Sequence, residues 1–239
     1  MRLKVDVILA TSTSEILAAK NATRTIPIVF MTSGDPVEAG VIDSLAQPGG
    51  NLTGFTEIAA VLAGKRLELL KETVPKLSRV ALLLNPAEGS LQWKESQLAA
   101  RELGLQLYSM EVSSTDKYEI AFKEATKARN TALAVAQTAL ASTTRTQIVE
   151  LAAKYRLPAI YSRRDFVESG GLMSYGADRT EPYRRAALII DKILKGTKPA
   201  DIPVEQPTKF ELMINLKTAK TLGLTIPPVV MMRAEKVIK

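Results

Sequence analysis

The 239-residue chain contains no cysteine and no histidine. That absence excludes thiol nucleophiles, histidine-based triads, imidazole general bases and zinc sites built from nitrogen and sulfur ligands. Aromatic residues are scarce, at 5%, with a single Trp. Blocks of about five or more like charges are also missing. The net charge of +7 and the pI near 9.5 are therefore spread in ones and twos, as at Lys65-Arg66, Arg163-Arg164 and Arg184-Arg185. Such dispersal fits solvated helix faces, and no nucleic-acid partner is expected. No stretch reaches the roughly 18 uninterrupted apolar residues of a membrane helix. The opening MRLKVDVILA carries Asp6 within a short apolar run and no small-residue cleavage site follows, unlike a signal peptide.

What is present is an ordinary globular composition, 46% hydrophobic and 24% charged, with enough chain for two lobes. Short runs rich in Val, Ile and Leu recur at residues 5–9, 26–30, 80–84, 105–112, 132–136, 159–161, 172–175 and 210–214, with a weaker one at 51–55. Being apolar on both faces rather than alternating, they predict parallel strands covered by helices on each side. Between them, 14–20 follows Ser/Thr cap candidates, 62–74 aligns Leu62, Arg66, Leu69, Leu70 and Val74 along one side, and 183–194 runs toward Gly196, a C-cap signal. The alternation predicts a doubly wound α/β fold.

Pro75 ends one long helix before a new strand at Val80, which makes 73–78 the expected break between lobes. Residues 1–76 supply few strands for a core of their own. The proline-rich stretch 195–203 reads either as a connection between lobes or as a surface loop.

In open α/β sheets ligands bind beyond the carboxyl ends of the strands. The residues there form a consistent set of hydroxyls, amides, one carboxylate and tyrosines: Thr11 and Ser12, Ser33, Gly34 and Asp35, Asn85, Gln137 and Thr138, Tyr161, and Ser174 and Tyr175. Such a lining can hold a ligand's carboxylate or ammonium, and its tyrosines can stack on an apolar group. The alternative for each is structural. Ser, Thr, Asn and Asp at strand–helix junctions are commonly N-caps, Asp35-Pro36 is a cap followed by proline at the first helical position, and the tyrosines can simply fill a wall.

The stretch Pro48-Gly-Gly-Asn-Leu-Thr-Gly54 lacks both a Walker Lys-Ser/Thr and a GxGxxG spacing, so it reads as a tight turn. Asp165 and Glu168 beside Arg163-Arg164 read as ion-pair partners. No acid–base pair or nucleophile is indicated by spacing, so neither an enzyme, a metal nor a cofactor is expected.

Several segments together resemble the bacterial ABC-transporter solute-binding proteins of the tryptophan/tyrosine type: VDVILA at 5–10, IPIVF at 26–30, GDPVEAG at 34–40, SLAQPGGNLTGFT at 44–56, GKRLELLKE at 64–72, ELAAKYRLPAIYSRRDFVESGGLMSYG at 150–176, and the run from Tyr183 to Pro227. The resemblance implies a type I-like periplasmic-binding-protein architecture of two Rossmann-like lobes closing by a hinge on a small, amino-acid-like solute. Its partner would be a membrane permease and its location periplasmic or extracytoplasmic. The lobe crossings it implies assign 1–76 with 178–204 to lobe I, and 77–177 with 205–239 to lobe II.

Members of this group normally carry an export or lipoprotein signal and an opening βαβ stretch before the segment matching Val5, so the resemblance implies an incomplete lobe I here. At Gln137-Thr138-Ala139 relatives usually show a Pro-Asp-Pro-like turn, which leaves Asp35 as the expected acid for an ammonium. The alternative function is the ligand-sensing domain of a bilobal transcriptional regulator. Such a regulator carries a helix-turn-helix segment, and none precedes Val5.

Overall fold

The structure is a computed structural model that describes residues 4–32, 34–57, 59–129, 131–178 and 180–239. In chain order its strands are β1 (Ile8–Ala10), β2 (Ile28–Thr32), β3 (Leu52–Thr56), β4 (Arg79–Leu84), β5 (Gln106–Glu111), β6 (Thr131–Val135), β7 (Ala159–Tyr161), β8 (Met173–Ala177), β9 (Phe210–Asn215) and β10 (Lys236–Ile238). The helices are α1 (Thr13–Ala22), α2 (Ala63–Thr73), α3 (Ser90–Glu102), α4 (Tyr118–Ala125), α5 (Ala139–Thr143), α6 (Arg145–Lys154), α7 (Arg164–Glu168), α8 (Thr180–Leu194), α9 (Leu216–Leu222) and α10 (Pro228–Met231). No helix among the described residues is long and apolar enough to cross a membrane.

Two compact units share this chain, the first made of Met1–Ile58 with Ala177–Lys209 and the second of Ala59–Gly176 with Phe210–Lys239. The expected breaks at 76/77, 177/178 and 204/205 compare with 58/59, 176/177 and 209/210. The largest difference has a physical cause. Pro75 stops α2, but Leu67 and Leu70 of that helix enter the same core as Val80 and Leu82 of β4, so ending the helix does not end the unit.

In the first unit β1, β2 and β3 form a parallel sheet with Ile8 opposite Ile28 and Phe30 opposite Gly54. All five residues of β2 are buried, and their pleat sorts them. Ile28 and Phe30 pack with Ile16 of α1 and with Leu52, whereas Val29 and Met31 face Ala186, Ile189 and Ile193 of α8. The stretch after α8 is a strap within this unit. Thr53 Oγ1 donates to the Ile202 carbonyl at 2.7 Å, Val204 N–H to Leu45 at 2.7 Å and Glu205 N–H to Gly54 at 2.9 Å. Of the Pro48–Gly54 segment only the first part turns, with Gly49 and Gly50 at φ +76 and +59; Leu52, Thr53 and Gly54, expected in the turn, already belong to β3.

The second unit carries a seven-stranded sheet in the order β10-β9-β8-β7-β6-β4-β5. Strands β4 to β8 pair in parallel. β9 runs the other way, its last residue Asn215 donating its N–H to Leu172, just before β8 begins. β10, which no apolar run in the sequence signals, pairs in parallel with β9. The pleat again separates two cores: Val80, Leu82 and Leu84 meet α2, α3, α9 and α10, while Ala81 and Leu83 meet Tyr118 and Phe122 of α4, Ile148 of α6 and Phe166 of α7.

Gly54 tests the closeness of β2 and β3. A Cβ there would lie 2.1 Å from the Phe30 carbonyl oxygen, a backbone atom that cannot step aside. Gly54→Ala is expected to cost about 1–3 kcal/mol or more, read as a lower denaturation midpoint; an unchanged midpoint would mean that the strands are not packed as described.

Candidate functional site

Counting its five parallel strands in chain order, the second unit's sheet reads 2-1-3-4-5, and the reversal of winding lies between β4 and β6. Ala100 of α3, the helix that follows β4, packs on one face. Ala141 and Ile148, from the helices that follow β6, pack on the other. The two loops therefore diverge at the carboxyl edge, the geometry that opens a ligand crevice in α/β sheets.

Three of the candidate residues stand at that edge: Asn85 after β4, and Gln137 and Thr138 after β6. Two side chains that the strand-end reading passes over organise them. Glu88 accepts from Asn85 Nδ2 at 3.1 Å with one carboxylate oxygen and from the Ala139 N–H at 2.8 Å with the other, bridging the two loops. Gln92, 8% exposed on the inner side of α3, clamps the backbone of Gln137. Its amide donates to the Gln137 carbonyl at 3.0 Å and its Oε1 accepts the Gln137 N–H at 2.8 Å. Asn85 Oδ1 accepts the Ala87 N–H, and Thr138 caps α5 by accepting from Ala141.

Below this edge lies Arg66, 5% exposed, whose Nε donates to the Tyr175 carbonyl at 2.9 Å. It lines a small cavity with Gln92, Ser96, Ala134 and Ala136. The spacing Gln92, Ser96, Ala100 along the buried side of α3 is the sequence signal that marks Gln92, because a polar side chain on a helix's inner stripe must find partners inside. Glu88 carries a weaker signal, three residues beyond Asn85.

The first unit has its own polar edge. Ser12 is the N-cap of α1 and accepts the Glu15 N–H at 3.3 Å, while the Glu15 carboxylate takes the Thr11 N–H and hydroxyl. Those hydrogen bonds hold the Glu15 carboxyl below its ordinary range, the Thr11 N–H contributing most. Gly34 is tied on both sides, donating to Thr32 Oγ1 and accepting from Thr56 Oγ1 at 2.7 Å. Asp35 Oδ1 accepts the N–H groups of Val37 and Glu38 at 2.8 and 3.2 Å, so it caps the turn that follows. Ser33 lies outside the described residues.

The remaining candidates lie on β7 and β8. Tyr161 is 0% exposed, stacked on Phe166 with ring centroids 4.8 Å apart. Its hydroxyl has no partner among the described residues, and burial pushes its pKa up. It points into the helix layer because alternate residues of a strand covered on both faces enter one core or the other. Ser174, its register partner on β8, is buried as well. Tyr175 is half-buried against Phe210. Arg163 binds Asp165 through two nitrogens, at 3.2 and 2.6 Å, and Ser142 through a third, while Glu168 pairs with Lys236.

The edges thus offer amides, hydroxyls and carboxylates, with neighbouring main-chain N–H groups already in use. Among the described residues no group of three or more metal-ligating acids is present. The chemistry on offer is hydrogen bonding and charge recognition.

A profile described as "ABC transporter substrate binding protein" matches residues 2–238. A tyrosine-binding protein of Clostridioides difficile is 30% identical over 223 residues, 92% of this chain and 64% of its own length, so the chain spans less than two thirds of that relative. The solved structure of an ABC domain from Streptococcus pneumonia in complex with L-Trp matches with a TM-score of 0.90 at 28% identity, over 99% of this chain and 82% of that one. A conserved domain protein of Vibrio cholerae matches with a TM-score of 0.89 at 27% identity, over 98% of this chain and 79% of that one.

Two substitutions check the geometry. Tyr161→Phe removes a buried hydroxyl without a partner, so stability is expected to stay level or rise by up to about 1 kcal/mol, with ligand affinity unchanged by calorimetry. A loss of affinity would support a place for Tyr161 in the site. Gln92→Ala removes both contacts to the Gln137 backbone and is expected to cost about 1–3 kcal/mol, measured by chemical denaturation.

Proposed function

Because this chain belongs to the ABC transporter substrate binding protein family, we propose that it is the solute receptor of an ABC uptake system and binds an aromatic amino acid. The observation that carries this reading is the L-Trp complex, whose protein aligns over 99% of the chain. The tyrosine-binding relative points to the same ligand class. The fold is that of type I-like periplasmic binding proteins, built on mainly parallel sheets. The chain binds rather than turns over its ligand, and its working place is outside the cytoplasm, where it delivers solute to a membrane permease.

The contacts we assign are Asn85, Gln137 and Thr138 at the second unit's switch point, and Thr11, Ser12, Gly34 and Asp35 at the edge of the first. Asn85 and Gln137 have amide side chains that can donate to a carboxylate or accept from an ammonium. The regulator reading is not favoured, since the matching family supplies transporter components.

A thermal-shift screen tests the proposal. L-Trp, L-Tyr and L-Phe are compared with leucine, nucleobases and sugars. A ligand present at about 100 times its Kd stabilises the folded state by roughly 2.7 kcal/mol, so a melt that rises with the aromatic amino acids alone is the expected result. A cooperative melt that none of them moves would reject it.

A further inference from the structure

We infer that Glu88 is the residue that selects for a free amino group on the ligand. This rests on the receptor reading above and names a specificity determinant within it.

Glu88, an exposed residue of the loop after β4, holds its carboxylate at the sheet edge between β4 and β6, and both of its hydrogen-bond donors, the Asn85 amide and the Ala139 N–H, are neutral. They fix the position of the group without cancelling its charge. The other acids along this edge are differently placed. Asp165 is held by Arg163, and Glu211, at the start of β9, by Arg164. Glu111 ends the outer strand β5, away from the reversal point.

Asn85 is itself immobilised, because its Oδ1 accepts the Ala87 N–H while its Nδ2 holds Glu88. Gln92 fixes the opposite loop through Gln137. Glu88 is therefore a carboxylate anchored from both sides of the crevice, and each of its oxygens keeps a further lone pair for a third partner. A cation arriving there finds its counter-charge already in position, so little ordering cost remains at binding. An α-ammonium suits the place, with three donors on a compact charge.

Asp35 is the rival acid. Its one engaged oxygen serves N–H groups two and three residues ahead, so the following turn accounts for it locally. Glu88 reaches 51 residues along the chain to Ala139, and no local turn accounts for that contact.

The experiment is calorimetry on the wild type, Glu88→Gln and Asp35→Asn, using L-tryptophan and L-tyrosine beside their des-amino analogues, indole-3-propionate and 3-(4-hydroxyphenyl)propionate. Glutamine keeps an oxygen acceptor and a similar shape while removing the charge. Glu88→Gln is expected to weaken the amino acids by about tenfold to a hundredfold and to leave the des-amino acids within about twofold. Equal losses for both ligand types would make Glu88 a structural brace only, and no loss would remove it from recognition; either outcome overturns the inference. So would an ammonium-specific loss in Asp35→Asn with none in Glu88→Gln. If the wild type binds neither amino acid, the receptor reading fails first, and a wild type that binds while Glu88→Gln is unaffected rejects only the role of Glu88.

Discussion

Covering a parallel sheet on both faces leaves its strands no surface on which to carry chemistry, and this constraint organises everything else in the molecule. Every residue of β2, β3 and β6 is buried. Side chains on these strands are chosen to fill one of two helix layers, and polar groups are pushed to the loops where strands end. Function is thereby confined to a narrow edge, and the fold decides where that edge opens.

At the edge, two demands compete for the same groups. Helix starts and turns require side-chain oxygens to satisfy their free N–H groups, and ligands require such oxygens to be available. Ser12 and Thr138 are committed to caps, and Asp35 to a turn. Gln92 and Glu88 resolve part of the competition by reaching across between loops. Gln92 takes up main-chain groups that would otherwise need a side chain from the edge itself, and Glu88 does so with a charge to spare.

Much of this was legible in the sequence, since burial on both faces writes itself as uninterrupted apolar runs. Residues 80–84, 132–136 and 159–161 fall on strands within a residue or so of their ends. The kinds of residue at the strand ends were legible too, but not their partners. Contacts such as Glu88 with Ala139 depend on which loops meet in space, which periodicity along one segment does not encode. Tyr161 shows the converse. Its position after an apolar run resembles a strand end, yet the last residue of a buried strand still belongs to the pleat. Pro75 reads as a boundary because proline ends helices, although α2 shares its core with the strand that follows. β10 is three residues long beside charged neighbours and carries no pattern to find.

The strap that follows α8 binds β3 across a separation of 149 residues, from Thr53 to Ile202. On a ribosome working at roughly 5–20 residues per second, β2 and β3 emerge on the order of ten seconds before α8 and the strap that cover and brace them. During that interval Val29 and Met31 lack the helix that buries them in the finished protein, so one face of β2 stays uncovered until nearly the whole chain has been made.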